Sequence, residues 1–118
     1  MKKNVVKDKS FAFAIRIVNL YKYLTNDKKE FVLSKQLLRS GTAIGALIRE
    51  SEHAESKADF IHKLSIALKE ANETDYWLDL LHQTNYLTEK EYQSIKENIV
   101  ELLKLLATII KTSKSTKK

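Results

Sequence analysis

The stretch RSGTAIGALIRE, residues 39–50, holds both glycines of a chain that has no proline. It lies in a segment whose apolar spacing is helical, with Leu37, Ile44 and Ile48 recurring on one side. A glycine in a helix interior costs about 1 kcal/mol relative to alanine, so the placement calls for a compensating contact. Gly41 and Gly45 are four residues apart and stack on one helical face. Small residues at that spacing let another helix approach closely, and this is the favoured reading. Two alternatives compete with it. A turn at Ser40–Thr42 would split the helix. A phosphate-cradling loop is weaker, since the stretch lacks the lysine-containing ending and the preceding strand of a P-loop.

Working outward, no strand-like alternation of any length appears, and four helical segments do. The first is expected over about 10–25, capped by Ser10, with Phe13, Ile17, Leu20 and Leu24 as its stripe and Ala14, Val18 and Tyr21 beside it. The polar run TNDKKE ends it. The second is expected over about 31–54. The third is expected over about 57–84, with Ser56 and Asp59 in capping-box spacing. The AESKAD stretch before it suggests a sharp bend rather than a long loop. A second capping box, Thr88 and Glu91, opens a fourth helix that runs to about 112. There Tyr92, Ile95, Ile99, Leu102, Leu106 and Ile109 form a heptad seam, widened by Val100, Leu103, Ala107 and Ile110. Four such helices with short connections predict an all-α, antiparallel up-down four-helix bundle.

The 118 residues make one domain, and 43% of them are apolar, enough for a packed core. With no cysteine, disulfides, thiolate zinc sites and cysteine nucleophiles are excluded, and a reducing, cytoplasmic setting is expected. No run reads as a signal peptide or a membrane span: Arg16 interrupts FAFAI, and Glu101 and Lys104 interrupt the late apolar run. The formal charge of +6 is not spread evenly. Residues 1–9 carry +3, residues 111–118 carry +4, and residues 10–110 carry −1. The expected organisation is therefore a flexible basic tail at 1–9, a bundle at 10–112 and a basic tail at 113–118. Such tails either solubilise the chain or attach it weakly to polyanions.

On the third helix, Phe60, Ile61, Leu64, Ala67, Leu68, Ala71 and Leu78 form the core face. Ile66, Trp77 and Leu80 fall on another side, with Tyr76 close by. They are the candidates for an oligomer interface, against the plainer reading of a core-edge tryptophan with scattered surface residues. Three acid–x–x–histidine pairs, Glu50/His53, Asp59/His62 and Asp79/His82, have the spacing that metal ligands take in a di-iron bundle. His62 is placed opposite the core and His53 on the basic face, with only His82 near the core edge, so neither a metal nor any other cofactor is expected. No G-x-S-x-G motif or serine–base pair is evident, and no enzyme activity is expected.

The glycine stretch, followed by DFIHKLSIALKEANETDYWLDLL at 59–81, resembles the four-helix-bundle family of 23S rRNA intervening-sequence proteins. It is similar, more distantly, to the accessory variability protein of diversity-generating retroelements. The resemblance covers about residues 10–110 and rests on Arg39, Gly41, Thr42, Ile44, Gly45, Arg49 and Glu50. It rests also on Ile66, Ala67, Leu68, Lys69, Glu70, Glu73, Thr74, Tyr76, Trp77 and Leu81. Ala43 and Leu47 depart from it, where the family often has serine and asparagine. The resemblance implies a ring-like homo-oligomer, a homopentamer, without enzyme activity. Its implied partners are other copies of the chain, and RNA or DNA or another protein, with no membrane. It gives a role to Lys35, Arg39, Thr42, Arg49 and His53, which share one side of the second helix. Repeated around a ring, Lys35, Arg39, Arg49 and His53 would make a dense basic surface for nucleic acid. The alternative is a solvated face with local charge pairs, in a structural or protein-binding scaffold.

Overall fold

A computed structural model describes residues 4–115 as four helices, α1 Val5–Asn26, α2 Leu33–Ser51, α3 Lys57–Gln83 and α4 Glu89–Ser115. The described residues are all-α. In cross-section the molecule measures 22 by 22 Å over a 51 Å length, about two helix diameters each way. Helix α1 packs on α2, α2 on α3, α3 on α4 and α4 back on α1, with no contact across either diagonal. Interhelical partners run in opposite senses. Lys7 meets Glu52 while Ile17 lies at Gly41, and Lys9 meets Glu101 while Arg16 reaches Ser94 and Asn98.

The two glycines lie inside α2 with negative φ, so neither makes a turn and neither opens a loop. They face α1. A Cβ on Gly41 would sit 2.8 Å and 2.9 Å from the two γ carbons of Ile17, which is fully buried. A Cβ on Gly45 would meet the Ser10 carbonyl oxygen at 3.4 Å, an ordinary contact. Gly41 is therefore the residue that sets how closely α1 and α2 approach, and Gly45 is the more tolerant of the two. The left-handed turn positions fall instead to Lys29 and Asn85, in the α1–α2 and α3–α4 connections.

Twelve large side chains are fully buried, drawn from all four helices. At about 1.5–3 kcal/mol each, their burial far exceeds any helix propensity and holds the bundle together. The expected seam of α4 is met at Ile95, Ile99, Leu102 and Leu106, while Tyr92 and Ile109 are half-buried. At its far end Ile110 takes the core position, because a straight helix drifts from a strict seven-residue repeat. Among the described residues every buried polar side chain finds a hydrogen-bond partner. Thr74 of α3 donates to Ser40 Oγ of α2 at 2.9 Å and to the Glu70 carbonyl at 2.8 Å.

Several boundaries differ from expectation. Helix α1 begins at Val5, so residues 5–9 are helix rather than tail, and residues 113–115 likewise extend α4. Residues 1–3 and 116–118, the rest of the expected tails, lie outside the described residues. Ser10 does not cap α1; it is buried in the helix, its hydroxyl donating to the Lys7 carbonyl. The extra turn persists because Val6 is buried in the core and Asn4 and Lys7 both donate to Glu52. Helix α2 starts at Leu33, capped from outside by the buried carboxylate of Glu30. That group accepts from the backbone N–H of Val32, Leu33 and Ser34 at 3.2, 2.9 and 2.7 Å. Helix α2 ends at Ser51, and the chain turns into α3 over residues 52–56, the short bend anticipated. Both expected caps form, Ser56 accepting from Asp59 N–H and Thr88 exchanging bonds with Glu91.

Gly41→Ala should destabilise the fold by about 1–2 kcal/mol in urea unfolding, the overpacking against Ile17 outweighing the helix-propensity gain. Gly45→Ala should be neutral or stabilising by up to about 1 kcal/mol. Adding Ile17→Val to Gly41→Ala should recover part of the loss. Equal behaviour of the two alanine variants would remove Gly41 from the control of helix approach.

Candidate functional site

The two stretches that carried the family resemblance come together where α2 crosses α3. Arg39 Nη2 donates to Glu73 Oε2 at 2.6 Å, and its Nη1 to Glu70 at 3.2 Å. The same Glu73 oxygen accepts from the indole of Trp77 at 3.0 Å. Tyr76 stands edge-on to Trp77, ring centroids 5.0 Å apart, and is itself exposed. The hydrogen bond to Glu73 holds the Arg39 guanidinium above its usual pKa. Arg39, then Trp77, hold Glu73 below the usual carboxylate value. Beneath this network lies the Ser40–Thr74 hydrogen bond. Arg39 is thus ion-paired with Glu70 and Glu73 across the α2–α3 seam, with half of its side chain still exposed.

Of the other stripe residues, Thr42, Arg49 and His53 line a groove toward α1. Arg49 stacks its guanidinium over the ring of Phe11, 5.2 Å from the centroid. Lys35 and His53 are exposed. Thr42 turns its hydroxyl back to the Leu38 carbonyl at 2.8 Å. A groove of about 550 Å³ runs between α1 and α2, lined by Phe11, Ala14, Thr42, Gly45 and Ala46 and by Lys7, Arg49, Glu50 and His53. Its surface is largely apolar, with cations and one carboxylate among its lining.

On α3 the expected interface residues divide. Ile66, Trp77 and Leu80 are half-buried, with Trp77 packed against the core, and only Tyr76 is exposed among the four. The larger bare surface is elsewhere. Phe11, Ile15 and Val18 are 54%, 49% and 36% exposed, in one i, i+4, i+7 stripe on the outside of α1. The sequence reading had set Val18 beside the core stripe and did not use Phe11 or Ile15, although their spacing was legible.

A second polar cluster, also not anticipated, joins α3 to α4. Lys96 Nζ bonds Asp75 at 2.5 Å and Asp79 at 3.0 Å, and the Tyr92 hydroxyl donates to Asp79 at 2.6 Å. Burial disfavours the Lys96 ammonium, but the hydrogen bonds to Asp75 and Asp79 outweigh it and raise its pKa. Burial likewise works against the Asp79 carboxylate, and the bonds from Tyr92 and Lys96 overcome it. The signal was two i, i+4 pairs, Asp75/Asp79 and Tyr92/Lys96, on facing helices. His82 stacks flat on Tyr92 at 4.0 Å and bonds Glu89 at 2.8 Å, while His53 and His62 are exposed. Among the described residues no three metal-type side chains gather, and no helix is long and apolar enough to cross a membrane.

The 23S rRNA-intervening sequence protein family matches residues 2–108. The chain belongs to that family. It is similar to a crystal structure of a protein of unknown function, of the S23 ribosomal protein family, from Bacteroides thetaiotaomicron. Identity is 66%, over 91% of this chain and 99% of that one, with a TM-score of 0.90. No curated protein matches. The family expected from the two motifs is thereby shown, together with an all-α, four-helix fold among the described residues.

The sole tryptophan makes the Arg39–Glu73 network measurable by fluorescence. Because these groups are partly exposed, an Arg39→Ala, Glu73→Gln double-mutant cycle should give a coupling of no more than about 1 kcal/mol. Glu73 has its folded pKa below the ordinary 4.5. Its contribution is therefore present above that pH and lost as pH falls through the folded value. Wild type should lose stability more steeply than Glu73→Gln below that range. Parallel pH profiles would show that the carboxylate contributes nothing.

Proposed function

We propose that this chain is a non-enzymatic, cytoplasmic adaptor that works by presenting surfaces. In this reading it is an antiparallel up-down bundle that assembles into a ring-like homo-oligomer, a pentamer by family resemblance, and engages RNA or DNA along α2. The supporting observation is the contrast between inside and outside. The interior is closed by aliphatic packing with its polar groups satisfied, whereas Lys35, Arg49 and His53 point outward with no carboxylate partner among the described residues. A protomer nearly neutral between residues 10 and 110 gains a dense basic band once copies repeat these three groups around an axis. The second reading is a scaffold for protein contacts alone. It is favoured by the apolar stripe Phe11, Ile15 and Val18 near the same cations, since phosphate recognition has no use for such a surface.

Binding to RNA and to duplex DNA, titrated across salt, separates the two. The adaptor reading expects affinity above that of a lysine-rich peptide matching residues 111–118, falling with salt and reduced several-fold by Lys35→Glu with Arg49→Glu. Affinity no higher than the peptide's removes nucleic acid from the function and leaves the protein scaffold.

A further inference from the structure

Cations close the seams of the bundle from outside, and most of them meet a carboxylate there. Lys7 meets Glu52, Arg39 meets Glu70 and Glu73, Lys96 meets Asp75 and Asp79, and Lys9 meets Glu101. Arg16, on the α1–α4 seam, is different. Its Nη1 donates to the Ser94 carbonyl at 3.3 Å and to Asn98 Oδ1 at 2.6 Å, and its Nη2 to Ser94 Oγ at 3.0 Å. All three acceptors are neutral. The guanidinium is therefore held in place while no carboxylate among the described residues offsets its charge. A guanidinium carries five N–H donors in a rigid fork. The two left over at Arg16 are Nε–H and one on Nη2, the adjacent pair that grips both oxygens of a carboxylate.

Arg16 lines a groove of about 450 Å³ between α1 and α4, within the size range of small-molecule sites. Its apolar lining comes from the half-buried Leu20 and Tyr23 and the buried Leu87 and Ile95. Lys90 adds a second cation with no carboxylate partner among the described residues. The one acid of the lining, Glu91, is engaged at 2.8 Å with the backbone N–H of Thr88. We infer that this groove binds a small molecule carrying one carboxylate on an apolar body. Arg16 grips the carboxylate side-on, and the body lies against Leu20, Tyr23, Leu87 and Ile95. A mostly aliphatic wall suits an alkyl or arylalkyl chain and offers little to the polar edges of a nucleotide. The site is separate from the cations of α2 and depends on neither nucleic-acid binding nor self-association.

The test titrates the isotope-labelled whole chain with 4-phenylbutyrate and, separately, with its neutral amide, following backbone amide signals by NMR. The acid should shift Leu20, Ser94 and Ile95 saturably and bind about tenfold more tightly than the amide, the margin of a charge-assisted hydrogen-bonded pair. Arg16→Lys keeps the charge but loses the fork, and should weaken the acid by about fivefold or more. Asn19→Glu, at an exposed position of the same lining, sets a like charge beside the carboxylate and should also weaken it. Circular dichroism checks both folds, and Asn19→Glu decides the matter if Arg16→Lys does not fold. Equal binding of acid and amide overturns the proposal, as do shifts gathered in the α1–α2 groove instead. Folded variants that bind the acid as wild type does overturn the role of Arg16 and the site together. A model amphipathic peptide of leucine and glutamate that takes the same residues more tightly than the acid overturns the small-molecule assignment, giving the groove to a partner helix.

Discussion

The close approach of α1 to α2 is the constraint from which the rest of the bundle follows. Ile17 fills the space a side chain on Gly41 would need, and Ser10 presents its backbone beneath Gly45. A glycine in mid-helix gives up about 1 kcal/mol of propensity, and here the dispersion contacts of a fully buried isoleucine offset it. With α1 held this close, α2 turns its opposite flank to α3. There again the facing residues are small, and Ser40 and Thr74 satisfy each other inside the seam.

Charge pairs are layered over this packing rather than substituted for it. Arg39 with Glu70 and Glu73 closes the α2–α3 seam from outside, and Lys96 with Asp75 and Asp79 does the same between α3 and α4. Both sets are partly exposed, where ion pairs contribute modestly to stability. They also specify which helix faces which, since a slip of α2 along α3 would strand a guanidinium against apolar surface. The two motifs of the family resemblance, distant in sequence, are the two halves of one such closure. Arg39, a candidate nucleic-acid contact by sequence, is one half of that closure, and half of its side chain stays exposed.

What remains outside is unevenly divided. Helix α1 buries Phe13, Ile17 and Leu24 on one face and carries Phe11, Ile15 and Val18 on another. The protomer covers only the first of these faces and leaves the second bare.

The sequence by itself determined four amphipathic helices, the two side-chain caps at Ser56 and Thr88, the packing role of the glycines and the family. These are written in local spacing, which a helical period of 3.6 residues makes readable. It was misleading at the start of α1, where a lysine-rich run reads as a tail until Val6 is given a core to cover and Lys7 an acid to meet. Glu30 was passed over for the same reason: a polar run reads as a terminator, and only the returning chain shows its carboxylate capping the next helix. Helical spacing also left open whether Arg39 was free and whether Trp77 or Phe11 led the bare surface. A wheel gives the direction of a side chain around its own axis but not what stands opposite it. The pairing of Arg39 with Glu73, the partial burial of Trp77 and the exposure of Ile15 were decided only when the neighbouring helices took their places.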